Sequence, residues 1–108
     1  MANTFTSAAT GSNTNITTLY TCPAETTAVV HAVYLSNTDG TNDAQISLSV
    51  SGSANFNTRR YLFKTLEVPA DSTVVVEKPI NLGIGDKLET QASADNDIDV
   101  FASILEMT

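Results

Sequence analysis

From Ile16 to Glu106, short apolar runs recur along the chain and are closed off by clusters of Gly, Pro, Asp, Asn and Ser. Runs of that length between turn signals predict strands, and no window sustains the repeat of an amphipathic helix. The expected strands lie near 16–21, 27–37, 44–50, 59–68, 72–78, 86–93 and 97–106. The period of two along a strand then assigns faces. In 27–37, Val29, His31, Val33 and Leu35 oppose Val30, Ala32, Tyr34 and Ser36. Both sets are apolar enough to predict a central strand with His31 in the core or at a subunit interface. In 44–50, Ile46, Leu48 and Val50 alternate with Ser47 and Ser49, which predicts one core face and one face in solvent. In 97–106, Ile98, Val100, Ala102 and Ile104 oppose Asp99, Phe101, Ser103 and Leu105. The outer face of this last strand turns from polar to apolar, so Phe101 and Leu105 are candidate contacts with a neighbouring molecule.

The first fifteen residues carry one large apolar side chain, Phe5, among Thr, Ser, Asn and Ala. They are expected to form a flexible arm that orders on a neighbour with Phe5 as anchor, followed by one domain over 16–108. The connections at 38–43, 51–53, 68–72, 83–86 and 95–97 hold Gly, Pro, Asp and Asn, whose backbone freedom or side-chain bonds favour turns. The expected fold is therefore all-β, an antiparallel β-sandwich of about seven strands, Ig-like or jelly-roll in topology.

Composition narrows the functional classes. A chain of 108 residues holds one core. Twelve acidic against five basic residues give a net charge of −7, which argues against nucleic acid and anionic membrane surfaces, since phosphate binding needs clustered Lys and Arg. The single Cys22 makes no internal disulfide and reads as a small core or turn residue. Residues 1–18 lack the basic and apolar runs of a secretory signal, so export through that route is not expected.

Candidate chemistry is sparse. With one histidine, neither a Ser-His-Asp nor a Cys-His set can be assembled, and no catalytic residue is expected. Gly83-Ile84-Gly85 leads into a strand where a phosphate loop needs a helix, so no cofactor is expected. Asp95, Asp97 and Asp99, with Asp39 or Asp43, are oxygen ligands of the type Ca²⁺ takes, but the Gly and distal Glu of a calcium loop are missing. Solvated turn carboxylates are the expectation, with no metal. Arg59 and Arg60 beside Tyr61 are either contacts to carboxylates of an adjacent subunit or charges that protect an edge strand.

Three segments carry a family resemblance: Leu19-Tyr20-Thr21-Cys22-Pro23-Ala24 with 27–37, Val68-Pro69-Ala70-Asp71-Ser72 running on through Lys87-Leu88, and the ending Val100-Phe101-Ala102-Ser103-Ile104-Leu105-Glu106. Together they resemble small virion proteins of tailed bacteriophages. The resemblance implies a non-enzymatic structural protein of the virion, assembled in the host bacterial cytoplasm. It further implies a capsid decoration (cement) protein that binds major capsid protein, as a homo-oligomer, trimer or dimer. A neck, tail or fibre accessory protein is the alternative, and a carbohydrate-binding module a third. Phe5, Phe101, Leu105, Arg59 and Arg60 are the candidate interface residues.

Overall fold

The alternating runs deliver the chain back and forth between two sheets. The computed structural model describes residues 3–52 and 59–108. In chain order the strands are β1 (Asn3–Gly11), β2 (Thr17–Thr21), β3 (Thr27–Asn37), β4 (Ala44–Ser51), β5 (Arg60–Val68), β6 (Thr73–Val76), β7 (Ile80–Leu82), β8 (Lys87–Ala92) and β9 (Ile98–Met107). One sheet has the order β1-β9-β3-β6, with β7 also on β3; the other has the order β2-β8-β4-β5. Every pairing is antiparallel. β6 and β7 meet successive stretches of β3 and so act as one edge strand interrupted at Pro79, which has no N–H to donate. Counting them together, eight strands form two four-stranded sheets in jelly-roll order. This settles the topology that residue patterns left open between two sandwiches.

All seven expected strands are present, and two more accompany them. β7 is three residues long, too short to announce itself. β1 occupies the segment expected to be a flexible arm, and it pairs with β9 from Asn3↔Met107 to Gly11↔Asp99 without a slip. Its residues have too little apolar content to signal a strand. What orders them is the backbone ladder offered by β9, together with Ser12 just beyond. Ser12 is buried; its N–H donates to Ile98 O (2.7 Å), and its Oγ donates to Ala94 O (2.9 Å) and accepts the Ile98 amide (3.0 Å).

The core lies between the sheets and is built mainly from Val30, Val33, Leu35, Ile46, Leu48, Leu88, Ile98, Val100 and Ile104, all buried. In β9 the buried set is the expected one. In β3 it is not: Ala28 and Val30 face inward, then Val33 and Leu35, because the register against β9 slips between Val30 and Ala32. A bulge adds one residue to one strand and resets its alternation, and here the added residue is His31, which is exposed. The expected core position for His31 is thus corrected. β4 departs from expectation in the opposite direction, since Ser47 and Ser49 are only 8% and 4% exposed. Ser47 Oγ accepts the Thr65 amide (2.9 Å) where β5 bulges, and Ser49 sits between its partners Tyr61 and Glu89.

Three polar nodes join the layers. Cys22 is buried, and its Sγ donates to Thr26 O (3.2 Å); burial first, then Asp86 and Glu106, push its thiol pKa upward. Asn37, 3% exposed, donates from Nδ2 to Asn42 O (3.0 Å) and Val68 O (2.9 Å) and accepts the Asp39 amide (2.9 Å) at Oδ1. Asn37→Asp removes both donors and sets a carboxylate against two carbonyls. We expect a loss of about 2–3 kcal/mol, read as a lower urea midpoint at unchanged slope; an unchanged midpoint refutes the node.

Tyr20 of β2 donates from its hydroxyl to Glu106 Oε2 of β9 (2.5 Å), bridging the two sheets. Burial, and then the Glu106 carboxylate, raise the phenol pKa well above its ordinary value of 10.0. The native state therefore keeps a proton that the unfolded chain releases, so this contribution is complete below the ordinary value and is lost as pH climbs beyond it. Thermal unfolding followed upward from pH 9 is expected to show a falling Tm in the wild type and a shallower fall in Tyr20→Phe. Equal slopes count against the bridge.

Candidate assembly surface

Register and alternation together assign the outer face of the β1-β9-β3-β6 sheet row by row. Ala9, Phe101, Tyr34 and Val75 lie side by side, as do Phe5, Leu105, Val29 and Asn81. Between these rows run Ser7, Ser103 and Ala32; beyond them lie Asn3, Met107 and Thr27. None of these positions carries Asp, Glu, Lys or Arg. The single acid on the paired rows is Asp99, at the far end beside Gly11 and Ser36.

Aromatic rings are conspicuous on this face. Phe5 is 76% exposed, Phe101 44% and Tyr34 43%. Tyr34 and Phe101 pack edge to face with centroids 6.1 Å apart, and Phe5 lies 6.2 Å from the His31 ring. The β3 bulge is what brings His31 out to meet it. Charge depletion with aromatic enrichment distinguishes the centre of a protein interface from ordinary surface, and rigid rings held by neighbours contribute area at small entropic cost.

The opposite sheet presents different chemistry. Its outer positions include Lys87, Glu89, Gln91, Gln45, Ser47, Tyr61, Glu67 and Thr18. Arg59 binds Glu89 of its own chain, from Nη2 at 3.0 Å and Nε at 3.2 Å, and Ser51 Oγ donates to the same carboxylate oxygen (2.7 Å). Arg60 is exposed at the start of β5. The structure thus brings Phe5, Phe101 and Leu105 onto one face and places Arg60 in the other sheet, with Arg59 just before it and bonded to that sheet's Glu89. Tyr34 and Val75 join the first group without any sequence signal, because their membership depends on which strands pair.

The acidic turn residues serve their own backbone. Asp39 Oδ1 accepts the Thr41 (2.8 Å) and Asn42 (3.3 Å) amides, and these bonds lower its pKa. Asp43 accepts the Ala70 amide (3.0 Å) and Asp95 the Thr14 amide (2.8 Å). Among the described residues no three His, Cys, Asp or Glu side chains gather as a metal cluster. A hollow of about 180 Å³ between β4, β5 and β8 is lined by Gln45, Ser47, Lys64, Thr65, Gln91, Ala92 and Ser93.

No family model matches the chain, and no curated protein matches it. Solved structures do. A chain of the acidic stable capsid structure of Helicobacter pylori bacteriophage KHP30 superposes with a TM-score of 0.56 at 17% identity, covering 100% of this chain and 89% of that one. The fold is viral capsid-like. A chain of the T13 IBDV viral particle superposes with a TM-score of 0.57 at 11% identity over 96% of this chain, though over only 30% of its own length. At these identities the likeness is one of fold. It agrees with the jelly-roll order, an architecture that viral capsid domains use. The KHP30 chain is little longer than this one, so the capsid-like domain accounts for most of that chain, whereas in the IBDV particle it is one part of a larger one.

Proposed function

We propose that this chain is a non-enzymatic structural protein of a bacteriophage virion, a capsid decoration (cement) protein that binds major capsid protein through the outer face of its β1-β9-β3-β6 sheet. The observation that carries the reading is an uncharged, aromatic-bearing face on a capsid-like jelly roll. In a chain of net charge −7 the paired rows of this face carry a single charge, Asp99 at the far end, which leaves apolar area whose burial against a partner is favourable. The polar face of the other sheet then turns to water and keeps the coated particle soluble. Each contact is modest, and repetition over a lattice multiplies it. The likeness to a short chain of the KHP30 capsid structure supports a small shell component.

Quantitative mass spectrometry of purified particles tests the assignment. A shell role requires hundreds of copies per particle in fixed ratio to major capsid protein. About a dozen copies, the number in a symmetric neck or tail ring, would instead establish the accessory role.

A further inference from the structure

An edge strand leaves a row of backbone donors and acceptors unpaired, and natural sheets blunt such edges with short length, charge, proline or bulges. Three of the four edges here are blunted. β2 has five residues and slips register between Thr18 and Tyr20. β5 carries Arg60 and Lys64, slips register twice and holds Thr65 at a φ of 53°. The edge formed by β6 and β7 is cut at Glu77, Lys78 and Pro79. β1 shares none of these features. It is nine residues long, keeps unbroken register with β9, contains neither charge nor proline, and among the described residues no strand pairs its other side.

We propose that β1 is a self-pairing edge, through which two copies of this chain join antiparallel about a two-fold axis at Ser7 and fuse their larger sheets into one. Charge permits a second copy at this edge, and the strand's own sequence selects it. Copies that each carry −7 repel wherever acidic surface meets acidic surface; Asn3–Gly11 offers a full strand with no charge on it. A basic partner would gain nothing at this edge and would be drawn to the acidic turns.

The strand is also self-complementary. When two copies overlap over its whole length, Ser7 meets Ser7, Phe5 meets Ala9, Thr4 meets Thr10 and Asn3 meets Gly11. The large Phe5 ring therefore lies against the smallest outward side chains of the other copy. Because Ala9 already stands opposite Phe101, and Phe101 opposite Tyr34, one apolar row continues across the junction: Val29, Leu105 and Phe5 from one copy, then Ala9, Phe101 and Tyr34 from the other. Pairing along an edge leaves the outer face open and makes it twice as wide. It does not depend on capsid binding.

Sedimentation velocity of the purified full chain over a wide concentration range tests this. The wild type is expected to be a dimer. Ser7→Lys and Ser7→Asp are each expected to weaken dimerisation at least about tenfold, since like charges placed directly opposite on a sheet repel, and an equimolar mixture of the two is expected to recover the dimer. Ser7 is exposed, so both variants are expected to keep the wild-type circular dichroism. Amide hydrogen exchange on the wild type needs no variant: protection across Asn3–Gly11 is expected to rise with concentration. A wild type that stays monomeric, an odd-numbered oligomer, a dimer that both variants leave intact, or exchange at β1 indifferent to concentration overturns the proposal.

Discussion

Gly52→Ala is expected to lower stability by about 3 kcal/mol, through overpacking with little room to relax. A Cβ at Gly52 would lie 2.1 Å from Asp86 Oδ1, 3.0 Å from its Cγ and 3.2 Å from its Cα. An exposed carboxylate would swing away from such a contact at small cost. Asp86 is 1% exposed, however, and its Oδ2 accepts the Gly83 amide (2.8 Å) across the turn that ends in β8. That turn is closed by Asp86 N–H to Gly83 O (3.0 Å), holds Gly85 at a φ of 80°, and is tied to Cys22 through Gly85 N–H to Cys22 O (3.0 Å). Moving Asp86 therefore disturbs the junction of β2 and β8. For a domain of this size the loss corresponds to a fall in Tm of roughly 10–20 °C, measurable by calorimetry. A variant that melts with the wild type would mean that the carboxylate moves freely.

The second large effect is on attachment. Phe101→Glu combined with Tyr34→Glu is expected to reduce binding to particles lacking the protein by about 30-fold or more, the scale of a hot-spot loss. Both rings are more than two-fifths exposed and face away from the core, so the melting temperature is expected to stay near that of the wild type. Co-sedimentation with particles reads the binding. Tyr61→Glu is the matched control, an aromatic of 43% exposure in the opposite sheet, and it is expected to bind as the wild type does. If Tyr61→Glu abolishes attachment and the double variant does not, the proposed face is the wrong one.

Much of this surface is legible in the sequence. Strict alternation in 97–106 separated Val100 and Ala102 from Phe101 and Leu105, and both outer residues lie on the uncharged face. Phe5 was recognised as the single large apolar residue of its segment, but its setting was not, because a strand made largely of Thr, Ser and Ala is held by its neighbour's backbone rather than by its own pattern. Tyr34 was invisible for a related reason. Its partner is Phe101, sixty-seven positions away, and the distance between two strands in sequence says nothing about their adjacency in a sheet. His31 faces outward rather than into the core because a bulge shifts phase without leaving any mark in residue type. The bond from Arg59 to Glu89, thirty positions on, likewise depends on which strands lie side by side.

The sequence by itself determined the extended backbone, the positions of seven strands and most turns, and the apolar core faces of 44–50 and 97–106. These are local matters, decided by period, by side-chain branching and by the backbone preferences of Gly, Pro, Asp and Asn. Only the tertiary structure decided the jelly-roll order, the pairing of β1, the bulge at His31 and the gathering of Phe5, Phe101, Leu105 and Tyr34 on one face. Those follow from long-range hydrogen bonding between strands, which is made by main-chain groups common to every residue and so leaves little trace in the order of side chains.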